Sequence, residues 1–267
     1  MLIDSHCHLD YDGIARSEIP VLLERARAAG VGRVVTVGIS KPDFPKTVEI
    51  AESEPDVFCC LGVHPHEAEK EGQMITVEEI EQLAAHPKMI GIGETGLDYF
   101  YEHAPRAAQE RVFRTHIRAC IRTGLPLVIH TREAEDDTIR ILCEERKGNE
   151  DKLRGVFHCF SSKNDLALFG LEIGFYLSFS GMLTFNKSED IRATAAQAPL
   201  DRILVETDAP FLAPVPLRGK KAEPSFVVHT AKRLAEVKGV AQNVIEEATT
   251  QNFFNLFTKA RCEISRV

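Results

Sequence analysis

Eight short apolar runs recur along the chain, each separated from the next by a longer segment of helical spacing. That alternation constrains the fold more than any other feature. The runs cover residues 2–6, 33–37, 57–62, 89–94, 126–130, 155–158, 174–179 and 202–206. They are rich in Val, Ile, Leu and Phe and nearly continuous in apolar character, as strands covered on both faces must be. Residues 21–29 show helical periodicity and end at Gly30, a residue suited to the left-handed turn that closes a helix. Residues 105–122 carry Val112, Phe113, His116, Ile117, Cys120 and Ile121 on one stripe and stop at Gly124; residues 133–145 carry Ile139, Leu142 and Cys143 opposite their charges. Eight such strand–helix units in 267 residues predict an α/β protein folded as a (β/α)8 TIM barrel. A doubly wound open sheet is the weaker choice, because no GxGxxG follows the first run. Two further helical segments, roughly 224–237 and 242–258, are expected to close the barrel. With no linker, repeat or low-complexity tract, residues 1–267 read as a single domain.

Polar residues gather at the ends of these runs. His6 and His8 stand two apart, so a strand projects both imidazoles to one face and Cys7 to the other. Glu94, His130 and His158 end the fourth, fifth and sixth runs, and Asp208 follows the eighth. In a TIM barrel the C-terminal strand ends share the face on which active sites are built. Taken singly, each residue has an ordinary explanation: a hydrogen-bonded core histidine, a capping glutamate, an Asx turn before Ala209-Pro210. None of these explains why four imidazoles and two carboxylates recur at strand ends rather than strand starts. Together they exceed the three protein ligands of a single catalytic ion and suit two divalent metal ions. The expected assignment is His6, His8 and Asp208 on one ion, His130 and His158 on the other, and Glu94 as the bridge. Asp208 and Glu94 are the expected catalytic residues, Asp208 taking the proton from an attacking water.

The formal charge of −8 argues against a broad basic surface for nucleic acid, so any phosphate must be held locally. The seven cysteines include no CxxC pair, and adjacent Cys59 and Cys60 should diverge from one strand. Reduced thiols, the lack of a signal-like start and the lack of a long apolar run suggest a cytoplasmic protein with no membrane association.

The motifs Ile3-Asp4-Ser5-His6-Cys7-His8-Leu9-Asp10, Gly62-Val63-His64-Pro65-His66, Gly91-Ile92-Gly93-Glu94-Thr95-Gly96-Leu97-Asp98-Tyr99, Gly155-Val156-Phe157-His158-Cys159-Phe160 and Leu204-Val205-Glu206-Thr207-Asp208-Ala209-Pro210 together resemble the TatD family of metal-dependent deoxyribonucleases, over nearly the whole chain. The resemblance implies a barrel of the amidohydrolase superfamily with a two-metal centre on the six residues above. It also implies Mg²⁺-dependent hydrolysis of DNA phosphodiesters, typically 3′→5′ on single-stranded ends. The stretch Arg218-Gly219-Lys220-Lys221-Ala222-Glu223-Pro224 resembles a family segment in which Arg218 and Lys220 would hold substrate phosphate. Ala222 stands where that segment usually has Asn, and Ser162 where Gly is common. His64 is expected to contact the scissile phosphate or to orient its loop. His66 reads as structural, and Tyr99 and Arg132 are candidates to line the cleft. The ligand set itself, rich in imidazole, favours Zn²⁺, Mn²⁺ or Fe²⁺ over Mg²⁺. The alternative function is hydrolysis of a small-molecule ester, amide or phosphoester on the same barrel. Many enzymes of that kind bridge their metals through a modified lysine after strand four, where this chain has Glu94.

Overall fold

The computed structural model describes residues 1–72 and 74–264. Its strands are β1 (Leu2–Cys7), β2 (Val31–Gly38), β3 (Val57–Leu61), β4 (Met89–Asp98), β5 (Leu127–Arg132), β6 (Gly155–Phe157), β7 (Tyr176–Phe179) and β8 (Ile203–Val205). They form one eight-stranded sheet in chain order, and every neighbouring pair is parallel. Just beyond β8 the chain returns to β1: the His8 N–H donates to the Ala209 carbonyl at 2.7 Å, and the Asp208 N–H to the His6 carbonyl at 2.9 Å. Those bonds bring the two edge strands together, as the alternating pattern of runs requires.

Helices α1 (Ile19–Ala28), α2 (Phe44–Ser53), α3 (Ala68–Glu71), α4 (Val77–Ala84), α5 (Arg106–Thr123), α6 (Glu135–Arg146), α7 (Asn164–Glu172) and α8 (Glu189–Gln197) occupy the crossovers. After the long loop that follows β8 come α9 (Val227–Lys238), α10 (Gln242–Leu256) and α11 (Thr258–Ile264). None of the described helices is long and apolar enough to cross a membrane.

Strand alternation divides the apolar residues into two cores. Cys59 joins the layer between sheet and helices, while its neighbour Cys60 joins the barrel interior with Ile3, Val35, Phe58, Ile90, Val128 and Leu204. Phe253 and Leu256 of α10, Phe257 just after it and Ala260 of α11 belong to that interior core. Asn252 of α10 donates to the Leu200 and Ile203 carbonyls, at the start of β8. The terminal helices thus cover the mouth where the strands begin, which leaves the opposite mouth, where the strands end, for a site.

β4 is longer than its apolar run suggests. It continues past Glu94 because Thr95, Gly96, Leu97 and Asp98 pair with Ile129, His130, Thr131 and Arg132 of β5. Gly93 and Gly96 have φ of 136° and 144°, and a side chain on either would collide with the backbone of β5. Glycine on both sides is what lets the chain bring Glu94 this close to the neighbouring strand.

Candidate metal centre

At the open mouth all six expected residues converge. The Glu94 carboxylate lies at the centre, buried, with histidines around both oxygens. Its Oε1 is 2.8 Å from His158 Nε2, 2.9 Å from His130 Nδ1 and 3.3 Å from His64 Nε2. Its Oε2 is 3.3 Å from His6 Nε2 and 3.8 Å from His8 Nε2. Asp208 Oδ1 approaches the same pair from the other side, 3.4 Å from His8 Nε2 and 3.9 Å from His6 Nε2. Three sets of possible ligand atoms result, each within 4.8 Å of one another: His6, His8 and Asp208; His64, Glu94 and His130; and His6, His158 and Glu206.

His64 lies beside this group and is buried, 8% exposed. It closes a group with Glu94 and His130, and its Nδ1 accepts the His66 N–H at 3.1 Å. His158 stands between two carboxylates, with its Nδ1 3.2 Å from Glu206 and its Nε2 on Glu94. Its ring also stacks on His6 at 4.0 Å between centroids.

The electrostatics follow from burial against these contacts. Burial alone would raise the Glu94 carboxyl, but His158, His64 and His130 override it and hold it well below the usual range. For Asp208 burial again opposes ionisation, and His8 outweighs it, so this carboxylate too is ionised. Burial draws His64 down to about 4. Both ring nitrogens of buried His6 make no hydrogen bond. Desolvated nitrogens without partners are costly in a purely organic core. A divalent cation would take Nε2, the nitrogen that faces Glu94 and Asp208, and the surrounding imidazoles and carboxylates are a fitting donor set for one.

Supporting groups fix the rings. Glu206, only 1% exposed, accepts the Cys159 N–H at 2.7 Å as well as facing His158. Asp98 Oδ2 lies 3.1 Å from His130 Nε2 and 3.0 Å from His66 Nε2. Asp98 is itself held by Gln109 of α5, whose Oε1 accepts the Asp98 N–H while its Nε2 donates to the Asp98 carbonyl. His116 of α5 accepts the Val63 N–H at 3.0 Å, one residue before His64. Asp4 accepts both the N–H and the hydroxyl of Thr207, which sets the chain entering Asp208. Asp208 adopts φ 57°, a left-handed conformation that Asp tolerates better than most residues.

The remaining expected residues lie farther out. The Arg218 guanidinium sits over the Phe185 ring at 3.6 Å, and Lys220 is exposed on the same loop. Lys221 of the same loop donates to the Gly13 carbonyl. Arg132 lies over Phe100 and Tyr101. Tyr99, a candidate for the cleft, instead donates its hydroxyl to Asp137 of α6 at 2.9 Å. Glu206, Asp98, His116 and Asp4, though visible in motifs or helix stripes, and Gln109 carry site roles that sequence alone did not assign. Glu206 precedes Asp208 by two residues, and a ligating histidine commonly needs a second acceptor on its other nitrogen; that signal pointed to it.

A family model described as TatD related DNase matches residues 3–258. The chain belongs to the TatD family. An uncharacterized metal-dependent hydrolase, YabD of Bacillus subtilis, is 37% identical over 96% of this chain and 99% of its own length. A 3′-5′ ssDNA/RNA exonuclease, TatD of Edwardsiella piscicida, is 29% identical over 93% of this chain and 96% of its own length. Among solved structures, the TatD homologue YjjV of Escherichia coli superposes with a TM-score of 0.86 at 25% identity, covering 96% of this chain and 98% of that one. This TatD-family chain is thus a metal-dependent hydrolase built on the barrel described above.

Proposed function

We propose that the centre hydrolyses phosphodiester bonds of DNA, working 3′→5′ from single-stranded ends. The observation that carries this reading is the division of histidines around Glu94: one oxygen faces His64, His130 and His158, and the other faces His6 and His8. A carboxylate flanked on both sides by imidazoles fits a bridge between two divalent ions. His6, His8 and Asp208 would hold one ion; Glu94, His130 and His158 the other, with His64 beside them. When bound, the ions would polarise the phosphoryl group and make water a better nucleophile near neutral pH.

The protein's own residues supply the rest. Asp208, ionised and 14% exposed where Glu94 is 4%, is the carboxylate with access to a water, and it takes that water's proton. Glu206 and Asp98 hold His158 and His130 in the orientation a ligand needs. Arg218 and Lys220 meet the phosphate backbone from the loop after β8, a local patch on a chain of net charge −8. The relative named as a single-strand exonuclease supports this choice of substrate. The six described cysteines are all free, which fits work in the reducing cytoplasm.

The test is to strip the protein of metal and supply Mg²⁺, Mn²⁺ or Zn²⁺ with 5′-labelled single- and double-stranded oligonucleotides. A ladder shortening from the 3′ end of the single strand is expected. Intact strands under every metal, alongside turnover of a small phosphoester, would replace this reading with the small-molecule hydrolase.

A further inference from the structure

Four aromatic side chains among the described residues remain substantially exposed: Tyr11 at 44%, Phe211 at 45%, and Phe100 and Tyr101 at 49% each. All four belong to loops at the mouth where the strands end, and they fall into two pairs. Tyr11, after β1, meets Phe211, after β8, edge to face at 5.3 Å. Phe211 lies 6.1 Å from the His8 ring. Phe100 and Tyr101 lie in the loop after β4 and meet edge to face at 4.8 Å. Tyr101 lies 5.5 Å from His66, whose Nε2 shares Asp98 with His130. The β8/β1 seam and the β4/β5 pair stand on opposite sides of an eight-stranded barrel. One pair therefore borders the His8–Asp208 side of the centre and the other the His130 side.

Exposed aromatic surface is unfavourable in water, and its confinement to one face on both sides of a site marks a place for a ligand with flat apolar faces. An edge-to-face pair leaves ring faces uncovered by its partner. Arg132 lies over the Phe100–Tyr101 pair, 4.0 Å from the Phe100 ring centroid and 4.7 Å from that of Tyr101, and the His103 ring stacks on Tyr101 at 5.4 Å, so a cation and a third ring extend the stacking surface. Aromatic faces interleaved with cations are how proteins hold single-stranded nucleic acid without reading its sequence.

We propose that Tyr11 with Phe211, and Phe100 with Tyr101 and Arg132, are two base-stacking platforms that hold unpaired nucleobases on either side of the scissile phosphate. The assignment rests on the nucleic-acid reading of the centre and adds the reason for a single-strand preference. In a duplex the base faces are already stacked on one another and cannot reach either platform.

The test compares an oligothymidylate with an abasic strand of equal length, which carries the same phosphates and no bases. Binding is read by fluorescence anisotropy, and hydrolysis as KM, for the wild type and the double variants Tyr11→Ser/Phe211→Ser and Phe100→Ser/Tyr101→Ser. Wild type is expected to prefer the base-bearing strand, and each double variant to lose about tenfold of that preference. Leu168→Ser, on an exposed residue of α7, controls for general loss of apolar surface and should keep the wild-type preference. A preference as large in both double variants as in wild type would overturn the platforms, as would a wild type that does not distinguish the strands. Base-dependent binding without hydrolysis under any metal would remove the nuclease reading and leave the platforms standing.

Discussion

His116 ties the packing of α5 to the geometry of the centre, and its protonation should be measurable as a loss of stability. The ring is fully buried, with Nδ1 2.8 Å from the Val112 carbonyl and Nε2 accepting the Val63 N–H. Only neutral imidazole, with its proton on Nδ1, satisfies both contacts. Burial lowers its pKa from 6.5 to about 4, while the Val112 carbonyl opposes that shift. The sign follows from proton counts. Between pH 6.5 and 4 the unfolded chain carries a proton at this position that the folded chain does not, so stability falls as pH falls. Each pH unit in that window contributes about 1.4 kcal/mol, giving about 3 kcal/mol in all, fully retained above pH 6.5 and lost toward pH 4. His116→Gln keeps an acceptor and a donor without titrating. Urea denaturation in chelator at steps from pH 7 to 4.5 should show wild type losing between 2 and 3 kcal/mol relative to this variant, within ~1 kcal/mol. His116→Leu leaves the buried Val63 N–H unpaired and should cost ~1–3 kcal/mol at every pH. Wild type and His116→Gln declining in parallel would refute the reasoning.

Two substitutions at the centre separate proton transfer from ligand orientation. Asp208→Asn should leave a folded protein that still binds oligonucleotide but whose kcat falls ~10²–10⁴-fold, the range of a lost general base; undiminished turnover would remove Asp208 from that role. Glu206→Gln weakens the acceptor opposite His158 without reaching substrate, so metal affinity by competition titration should drop ~10–100-fold, with kcat recovering at saturating metal. Unchanged affinity would leave Glu206 only its backbone contact to Cys159.

The architecture was legible because it is written in local patterns. Apolar runs covered on both faces and helical stripes between them are properties of contiguous residues, and eight repetitions leave few topologies. The six central residues were legible for a related reason: the end of a strand is a position in sequence as well as in space. What sequence did not show depends on contacts across the fold. Gln109 and His116 carry the spacing of an ordinary buried helix stripe, and nothing local says that their polar atoms reach the ends of β4 and β3. Asp98 stands in a recognisable motif, but its role was not legible because the apolar run stops at Glu94, whereas β4 continues on backbone pairing with β5 that sequence periodicity does not report.

That division carries a consequence for how the centre is held. Three imidazoles of the centre have their second nitrogen on a group from another strand or loop: His8 on the Val37 carbonyl of β2, His130 on Asp98 of β4, and His158 on Glu206 after β8; His64 accepts the His66 N–H of its own loop. His6 alone among the central histidines has neither nitrogen in a hydrogen bond. Its ring is confined instead by stacking on His158 and by the β1 backbone, which bonds to β2 and receives the Asp208 N–H. Polar contacts thus set the other rings, while packing sets His6 and leaves its Nε2, which faces Glu94 and Asp208, free to bind. A substitution at Glu206 would loosen His158 and, through the stacked pair, His6 as well, although the two histidines lie in different motifs of the chain. The two groups of candidate ligands are therefore mechanically one unit, and the carboxylate of Glu94 is not the only link between them.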